Sequence, residues 1–304
     1  MEATKLIWVN GKMTPWEDAN VHFLTHGLHY GTGVFEGIRA YNTPGGTAVF
    51  RLTDHMQRLR NGAKVYWVPV EYSTKELVEA VKQVLRENEL AQGYIRPLVF
   101  FGGGSMGLNP EGADPMCLIA CWPWGAYLGD DGLANGIRVK ISSWRRIDQG
   151  SFIPNAKGAG GYVNSVLAKR EALRSGYDEA LLLNNDGMVC EGSGENLFLV
   201  SKGVVSTPPI ASGILAGITR DSVMTILREE GYEVVERVIT RSDVYYADEL
   251  FLTGTAAEVT PIREVDDLVI GAGKPGPVTK FVQERYMAIV KGETPDHDEW
   301  REYV

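Results

Sequence analysis

Two spacings of apolar residues alternate along the chain, one of period two and one close to 3.6. Residues 5–9 read as a strand that enters the hairpin turn Asn10-Gly11, and residues 47–51 read as another strand. Thr53 and Asp54 then offer capping side chains to a helix carrying His55, Arg58 and Lys64. Ser73 and Glu76 make a capping box, and Leu77, Val78, Val81, Val84 and Leu85 share one helical stripe. Strands are predicted at 94–101 and 116–122, around a glycine-rich loop at 102–110.

Residues 125–136 contain four glycines and few apolar anchors. That composition predicts a linker between a smaller α+β domain (1–124) and a larger domain (137–304). The second half opens with a strand at 137–143. A helix over 162–174 stops at Gly176. Strands flank the turn Asn184-Asn-Asp-Gly187, and another covers 197–200. A helix at 219–230 closes at Gly231, a strand at 249–252 runs into Thr253-Gly-Thr-Ala-Ala-Glu258, and a last helix covers 278–290. Strands and helices mix without strict βαβ alternation, so the class is α+β.

One stretch breaks this regularity. Ile153-Pro-Asn-Ala-Lys157-Gly-Ala-Gly-Gly-Tyr162 places its only lysine between a turn signal and three glycines, just before a helix. Glycines let backbone and a flat ligand approach closely. Phe152, Ile153 and Val163 suggest partial burial, where an amine loses hydration and its neutral form gains. A neutral amine attacks carbonyls to form Schiff bases. Taken alone, the stretch fits an ordinary surface lysine on a flexible loop more readily.

Composition narrows the classes. With 304 residues and 44% hydrophobic content, the chain has room for about two domains. No apolar run reaches the ~18–20 residues of a membrane span, and the start lacks a signal-peptide layout. Cys117, Cys121 and Cys190 are too scattered for a disulfide framework, which points to a reducing cytoplasm. A net charge of −9 argues against nucleic-acid binding, yet a local arginine can still hold an anionic ligand. His22, His26 and His29 have helical spacing but no carboxylate continues it, so no metal is expected. No dinucleotide fingerprint follows a strand and opens a helix.

The remaining chemistry suits a phosphorylated aromatic aldehyde. Gly217-Ile218-Thr219 opens a helix whose backbone N–H groups and positive dipole end attract anions. Gly254-Thr255-Ala256 offers a second hydroxyl and amide, and Arg58 a charged donor. Glu191, in a loop of small residues after an apolar strand, is placed to hold a proton on a pyridine nitrogen; it reads equally as a turn carboxylate.

Together, Pro154-x-Ala-Lys157-x-x-Gly-x-Tyr162-x-Asn-Ser, Glu191-Gly-Ser-Gly-Glu-Asn-Leu-Phe198, Gly217-Ile-Thr-Arg-Asp221 and Gly254-Thr-Ala-Ala-Glu258 resemble the fold-type IV pyridoxal-phosphate enzymes. His29-Tyr30-Gly-x-x-Val-Phe35-Glu-Gly-Ile-Arg-Ala-Tyr41, His55-Met-Gln-Arg58-Leu, Tyr94-Ile-Arg96-Pro-Leu and Trp124-Gly-Ala-Tyr127-Leu-Gly narrow the resemblance to branched-chain amino acid aminotransferases. It implies a two-domain D-amino acid aminotransferase-like fold, pyridoxal 5'-phosphate as cofactor, and a ping-pong exchange between leucine, isoleucine or valine and 2-oxoglutarate. It also implies a homodimer at least, with a hexamer as the larger alternative.

By the same resemblance Lys157 links to the cofactor and acts as base, Tyr162 bonds the phenolic oxygen, and Glu191 pairs the ring nitrogen. Arg58, Gly217, Ile218, Thr219 and Thr255 hold the phosphate. Tyr30, Phe35, Gly37, Trp124 and Tyr127 line the side-chain pocket, and Met106 and Leu108 reach into a neighbouring subunit. Tyr94, Thr255 and Ala256 meet the α-carboxylate. Arg96, with Tyr30 and Tyr127, is the expected grip on glutamate's second carboxylate, unless it is a structural partner of Glu36. Gly161 stands where the family often has Asn. D-amino acid aminotransferases, aminodeoxychorismate lyases and (R)-amine transaminases share the lysine, glutamate and phosphate parts, but the blocks around Phe35-Glu-Gly-Ile-Arg39 and Tyr94-Ile-Arg96 stand against them.

Overall fold

Two β-sheets organise the computed structural model, which describes residues 2–125 and 127–304. Met1 and Ala126, in the expected first domain and linker, lie outside the described residues. The chain divides into two compact units, one holding each sheet.

In the first unit, β1 (Leu6–Val9) and β2 (Lys12–Pro15) form the hairpin, with Asn10 and Gly11 both at positive φ. The glycine-rich stretch after Thr25 contains α1 (His26–Tyr30), β3 (Gly33–Phe35) and β4 (Ile38–Thr43). Its glycines end the short helix rather than forbid it. Gly31 adopts φ 65° and its N–H bonds to the Gly27 carbonyl, a left-handed C-terminal stop. Next come β5 (Gly46–Phe50), α2 (Leu52–Val65), α3 (Thr74–Glu87), β6 (Gly93–Phe101) and β7 (Pro115–Trp122).

The capping box at Ser73 and Glu76 closes the start of α3. Its stripe, Leu77 to Leu85, is buried in one core with Trp8, Ile95 and Ile119. Each such side chain contributes ~1.5–3 kcal/mol on burial. Thr53 and Asp54 do not cap α2, contrary to expectation. The cap position is Arg51, at φ 48° and with no side-chain bond to the helix's backbone N–H groups. A distant carboxylate does the work: Glu302 accepts the Thr53 N–H at 2.6 Å and the Thr53 hydroxyl at 2.9 Å.

The second unit begins inside the expected linker, where α4 (Asp130–Asn135) forms between Gly129 and Gly136, both at positive φ. Gly132 packs on Ile137, and Gln283 donates to the Leu133 carbonyl at 2.9 Å, so the stretch is part of a folded unit. Then follow β8 (Ile137–Arg145), α5 (Tyr162–Arg174), β9 (Glu179–Leu183), β10 (Val189–Gly192), β11 (Asn196–Ser201) and β12 (Val204–Thr207). After them come α6 (Ile218–Glu229), β13 (Val234–Glu236), α7 (Arg241–Tyr245), β14 (Glu249–Gly254), β15 (Glu258–Val265), β16 (Leu268–Val269) and α8 (Pro277–Val290).

The strand order β10-β9-β8-β15-β14-β11, with β11 pairing back to β10, closes six strands on themselves. Alternation along β9 explains its unbroken apolar run. Leu181 and Leu183 join one core with Leu197, Leu199, Leu250 and Leu252, while Ala180 and Leu182 face Ala168 and Ala172 of α5.

The expected second domain, 137–304, loses two pieces to the first unit: Ala156–Gly161 and Ile289–Val304. The reasons are physical. A final strand, β17 (Arg301–Tyr303), pairs antiparallel with β5, and Gly158 bridges to Val34. Replacing Glu302 with alanine removes the borrowed cap of α2 and is expected to cost about 1 kcal/mol of stability. Urea unfolding of the Glu302→Ala variant measures this; an unchanged midpoint would show that the cap contributes nothing.

Candidate active site

Lys157 stands in the first unit on backbone that few non-glycine residues adopt, at φ 53°. Such a conformation costs ~1–3 kcal/mol and persists only where its surroundings impose it. Here the Phe35 N–H bonds to the Lys157 carbonyl at 3.3 Å, and the Gly160 N–H to the Gly31 carbonyl at 3.2 Å. A Cβ on Gly31 would lie 2.7 Å from the Gly160 Cα, so the turn at Gly31 and the lysine loop meet backbone to backbone. Gly161 bonds to the Gly158 carbonyl at 3.1 Å, within the same turn. The lysine Nζ lies 5.4 Å from the Phe35 ring centre. Ile153 and Val163, expected to bury this segment, are exposed instead; Val34, Phe35 and Tyr66 surround the loop.

Next to Phe35, Glu36 has no exposed surface. Arg58 donates to both its oxygens, Nε to Oε1 at 2.6 Å and Nη2 to Oε2 at 2.9 Å, and His55 Nδ1 lies 2.8 Å from Oε2. Burial alone would push this carboxyl up, but the Arg58 charge, His55 and their hydrogen bonds together hold it well below the usual carboxylate range. Burial also lowers His55, against the pull of Glu36, so the imidazole is neutral at pH 7. Arg58 is therefore fixed from behind by a buried anion.

Arg96 is not the partner of Glu36. Its guanidinium carbon lies 4.7 Å from the Phe35 ring centre and 5.4 Å from that of Tyr94, and Nη2 donates to the Tyr94 hydroxyl at 3.3 Å. No carboxylate pairs with it among the described residues. Tyr94 is buried and meets the Trp124 ring edge-on at 4.5 Å. A Cβ at position 37 would overlap the Tyr94 hydroxyl, so Gly37 is a steric requirement. Phe35, Gly37, Tyr94, Arg96 and Trp124 thus form one group. Tyr30, Met106 and Leu108 are exposed, Leu108 at 88%. His26 spends Nδ1 on the Thr32 hydroxyl and Nε2 on the Gly107 carbonyl, both at 2.7 Å, which anchors the Met106–Leu108 loop.

The second unit contributes another group, where β10 and β11 meet. Glu191 pairs directly opposite Asn196. Its Oε2 accepts from Asn196 Nδ2 at 3.1 Å and from the Leu215 N–H at 3.0 Å, and its Oε1 lies 2.7 Å from Arg146 Nη2. The loop continues to Gly217, which starts α6 without a side-chain cap and whose missing Cβ leaves room for Asn196 Oδ1. Ile218 and Thr219 are buried in its first turn. The start of a twelve-residue helix, where Gly217 offers no side-chain cap, suits an anion through its dipole. Thr255 and Ala256 occupy the tight turn between β14 and β15, Tyr162 opens α5, and Tyr127 lies under Lys169, Nζ to ring centre 5.3 Å.

The family model for "Amino-transferase class IV" matches residues 33–265. The chain belongs to the class IV aminotransferases. It is 50% identical over 299 residues to the branched-chain-amino-acid aminotransferase of Pseudomonas aeruginosa, covering 98% of this chain and 97% of that one. The crystal structure of the Escherichia coli branched-chain amino acid aminotransferase superposes with a TM-score of 0.96 at 48% identity, covering 98% of this chain and 99% of that chain. The branched-chain aminotransferase of the thermophilic archaeon Thermoproteus uzoniensis, solved with norvaline, does so with a TM-score of 0.94 at 42% identity, covering 99% of each chain.

In this class IV aminotransferase four polar residues around the groups above escape sequence reasoning: Glu36, His55, Asn196 and Arg146. Glu36 leaves a signal, a lone charge in the apolar run Val34-Phe-Glu-Gly-Ile38. Arg146 leaves none. Glu195, beside Glu191 in the chain, is fully enclosed; burial and the nearby Glu179 push its carboxyl up to about 8, against the opposing pull of Lys169. An acid whose folded value exceeds its unfolded one binds more protons folded, so stability is lost as pH rises from about 4.5 to about 8. Glu195→Gln is expected to remove that loss, gaining stability relative to the parent at pH 8 but not at pH 4.5. Denaturant midpoints at the two pH values measure it, and equal differences at both would contradict the assignment.

Proposed function

We propose that this enzyme transfers the amino group of L-leucine, L-isoleucine or L-valine to 2-oxoglutarate, with pyridoxal 5'-phosphate as its cofactor. The observation that carries the reading is Arg96, a cation stacked on Phe35 and Tyr94 with no carboxylate partner among the described residues. An aromatic wall suits a branched aliphatic chain, and an unneutralised guanidinium within it suits the second carboxylate of glutamate. A relative 46–47% identical to this chain, also a branched-chain amino acid aminotransferase, has been crystallised with both N-(5'-phosphopyridoxyl)-L-glutamate and 4-methylvaleric acid.

The residues fit the cofactor. A helix start at Gly217 with no side-chain cap bond, a strained lysine and an oriented carboxylate each answer one of its functional groups. Bound pyridoxal phosphate supplies a carbonyl that links to amines and a ring that accepts the electron pair of a broken C–H bond. Lys157 would hold it through its Nζ, and the same amine would serve as the base that carries the Cα proton. Glu191 bonds the ring nitrogen and Tyr162 the phenolic oxygen. Arg58, Gly217, Ile218, Thr219 and Thr255 would hold the phosphate, Arg58 with a guanidinium already oriented by Glu36. Tyr94, Thr255 and Ala256 would receive the α-carboxylate, and Tyr30, Phe35, Gly37, Trp124 and Tyr127 would each serve recognition of the substrate side chain.

A second copy of the chain is part of the reading. Met106 and Leu108 are exposed in the first unit, and Val163, Val166, Leu167 and Leu173 are exposed along α5 in the second. Apolar side chains grouped in this way favour cover by another subunit, as a homodimer or a larger assembly of dimers. No helix among the described residues is long and apolar enough to cross a membrane. The three buried, unpaired cysteines agree with a reducing cytoplasm.

Lys157→Ala is expected to abolish turnover and to leave no cofactor bound to the peptide after borohydride reduction, read by mass spectrometry. A retained adduct or full activity would remove the assignment. Arg96→Met leaves a substrate carboxylate unpaired, at ~2–5 kcal/mol. Glutamate and 2-oxoglutarate should lose roughly a hundredfold in kcat/KM, and leucine less than about tenfold. Single-turnover rates of the two half-reactions decide this; equal losses would make Arg96 structural.

A further inference from the structure

We propose that Arg146 is a positioning residue that keeps a proton on the cofactor's ring nitrogen by holding Glu191 in its charged form. The inference rests on the ring-nitrogen role given to Glu191 above. Arg146 follows β8 directly, and its N–H is tied to the Leu183 carbonyl of β9 at 2.8 Å. Its Nη2 lies 2.7 Å from Glu191 Oε1, with the two side chains only 10% and 7% exposed. Its Nε donates to the Gly213 carbonyl at 3.4 Å, at the start of the loop that brings the Leu215 N–H to Glu191 Oε2. Asn196 fastens the same loop, donating to both Glu191 Oε2 and the Leu215 carbonyl.

The donors on Oε2 are neutral; Arg146 adds a full positive charge. A proton shared between a carboxylate and a pyridine nitrogen has two resting places, neutral acid beside neutral ring or carboxylate beside pyridinium. Coulomb energy falls with distance, so Arg146 attracts charge on its immediate neighbour Glu191 more strongly than it repels charge on any group beyond. The second arrangement wins. An opposite charge this close moves a proton equilibrium by roughly one to three decades. Glu179, Lys169 and Glu195 are further titratable groups at this end of the sheet; Glu195, pushed up to about 8 by burial and by Glu179, is largely neutral at pH 7 and adds little charge beside Glu191. Lys169 is already paired with Glu179 at 2.6 Å, so nothing in that set replaces Arg146.

The test uses holoenzyme loaded with pyridoxal 5'-phosphate labelled with 15N in the ring, observed by NMR at neutral pH. The parent should show a protonated nitrogen. Arg146→Gln should move the resonance towards neutral pyridine and slow Cα-proton removal from leucine about tenfold or more in single turnover. Arg146→Lys, which keeps the charge and loses the planar fork, should retain the protonated resonance. An unmoved nitrogen in Arg146→Gln overturns the inference, as does a neutral nitrogen in Arg146→Lys, which also decides the matter if the glutamine variant fails to fold. Glu191→Gln separates the two levels. If its nitrogen is unmoved, the role of Glu191 itself falls; if it moves while that of Arg146→Gln does not, only the role of Arg146 falls.

Discussion

A carboxylate shut away from water at position 36 commits the first unit to bringing positive charge to it. An ion left in such a place without a partner would cost several kcal/mol, so Arg58 must arrive, and α2 must present it. That demand propagates outward. The start of α2 is held by Glu302 on the Thr53 amide, by the Arg51 N–H on the Trp300 carbonyl at 2.7 Å, and by the pairing of β17 with β5. The last residues of the chain thereby help to orient an arginine near its beginning. Inward from Glu36, Phe35 bonds the lysine turn, so the strained amine and the arginine share one rigid origin.

The second unit solves a similar problem with a different frame. Closing six strands on themselves brings β10 against β11, and the residue at the seam is Glu191. Its carboxylate meets an amide, a side-chain amide and a guanidinium from three separate segments. Groups held this way need no reorganisation when charge develops beside them, which is where most of the advantage of a folded site over water arises.

Much of this was legible beforehand wherever the determinant is local. The stripe of α3 and its capping box lie within thirteen residues, and the glycines around Lys157 lie within four. The failures share a cause of the opposite kind. The cap of α2 comes from a residue 249 positions away, and Arg58 meets Glu36 across 22. Neither leaves a trace in periodicity. Glycine misled in the linker because it both breaks and ends helices: Gly129 and Gly136 bracket α4 there, just as Gly31 terminates α1. Ile153 and Val163 misled for another reason, since apolar residues are abundant on protein surfaces and say little singly about burial.

The contact between Gly37 and the Tyr94 hydroxyl has a consequence for anyone reshaping the pocket. The two positions form a lock in which the order of change matters. Any side chain introduced at 37 collides with the tyrosine where it stands, so a change there alone must first displace the ring. Once the ring at 94 is trimmed, the same position opens to variation, at the expense of the Tyr94 contact that steadies Arg96. New specificity at this wall is therefore reached through paired substitutions, and in natural divergence the two positions should be inherited together.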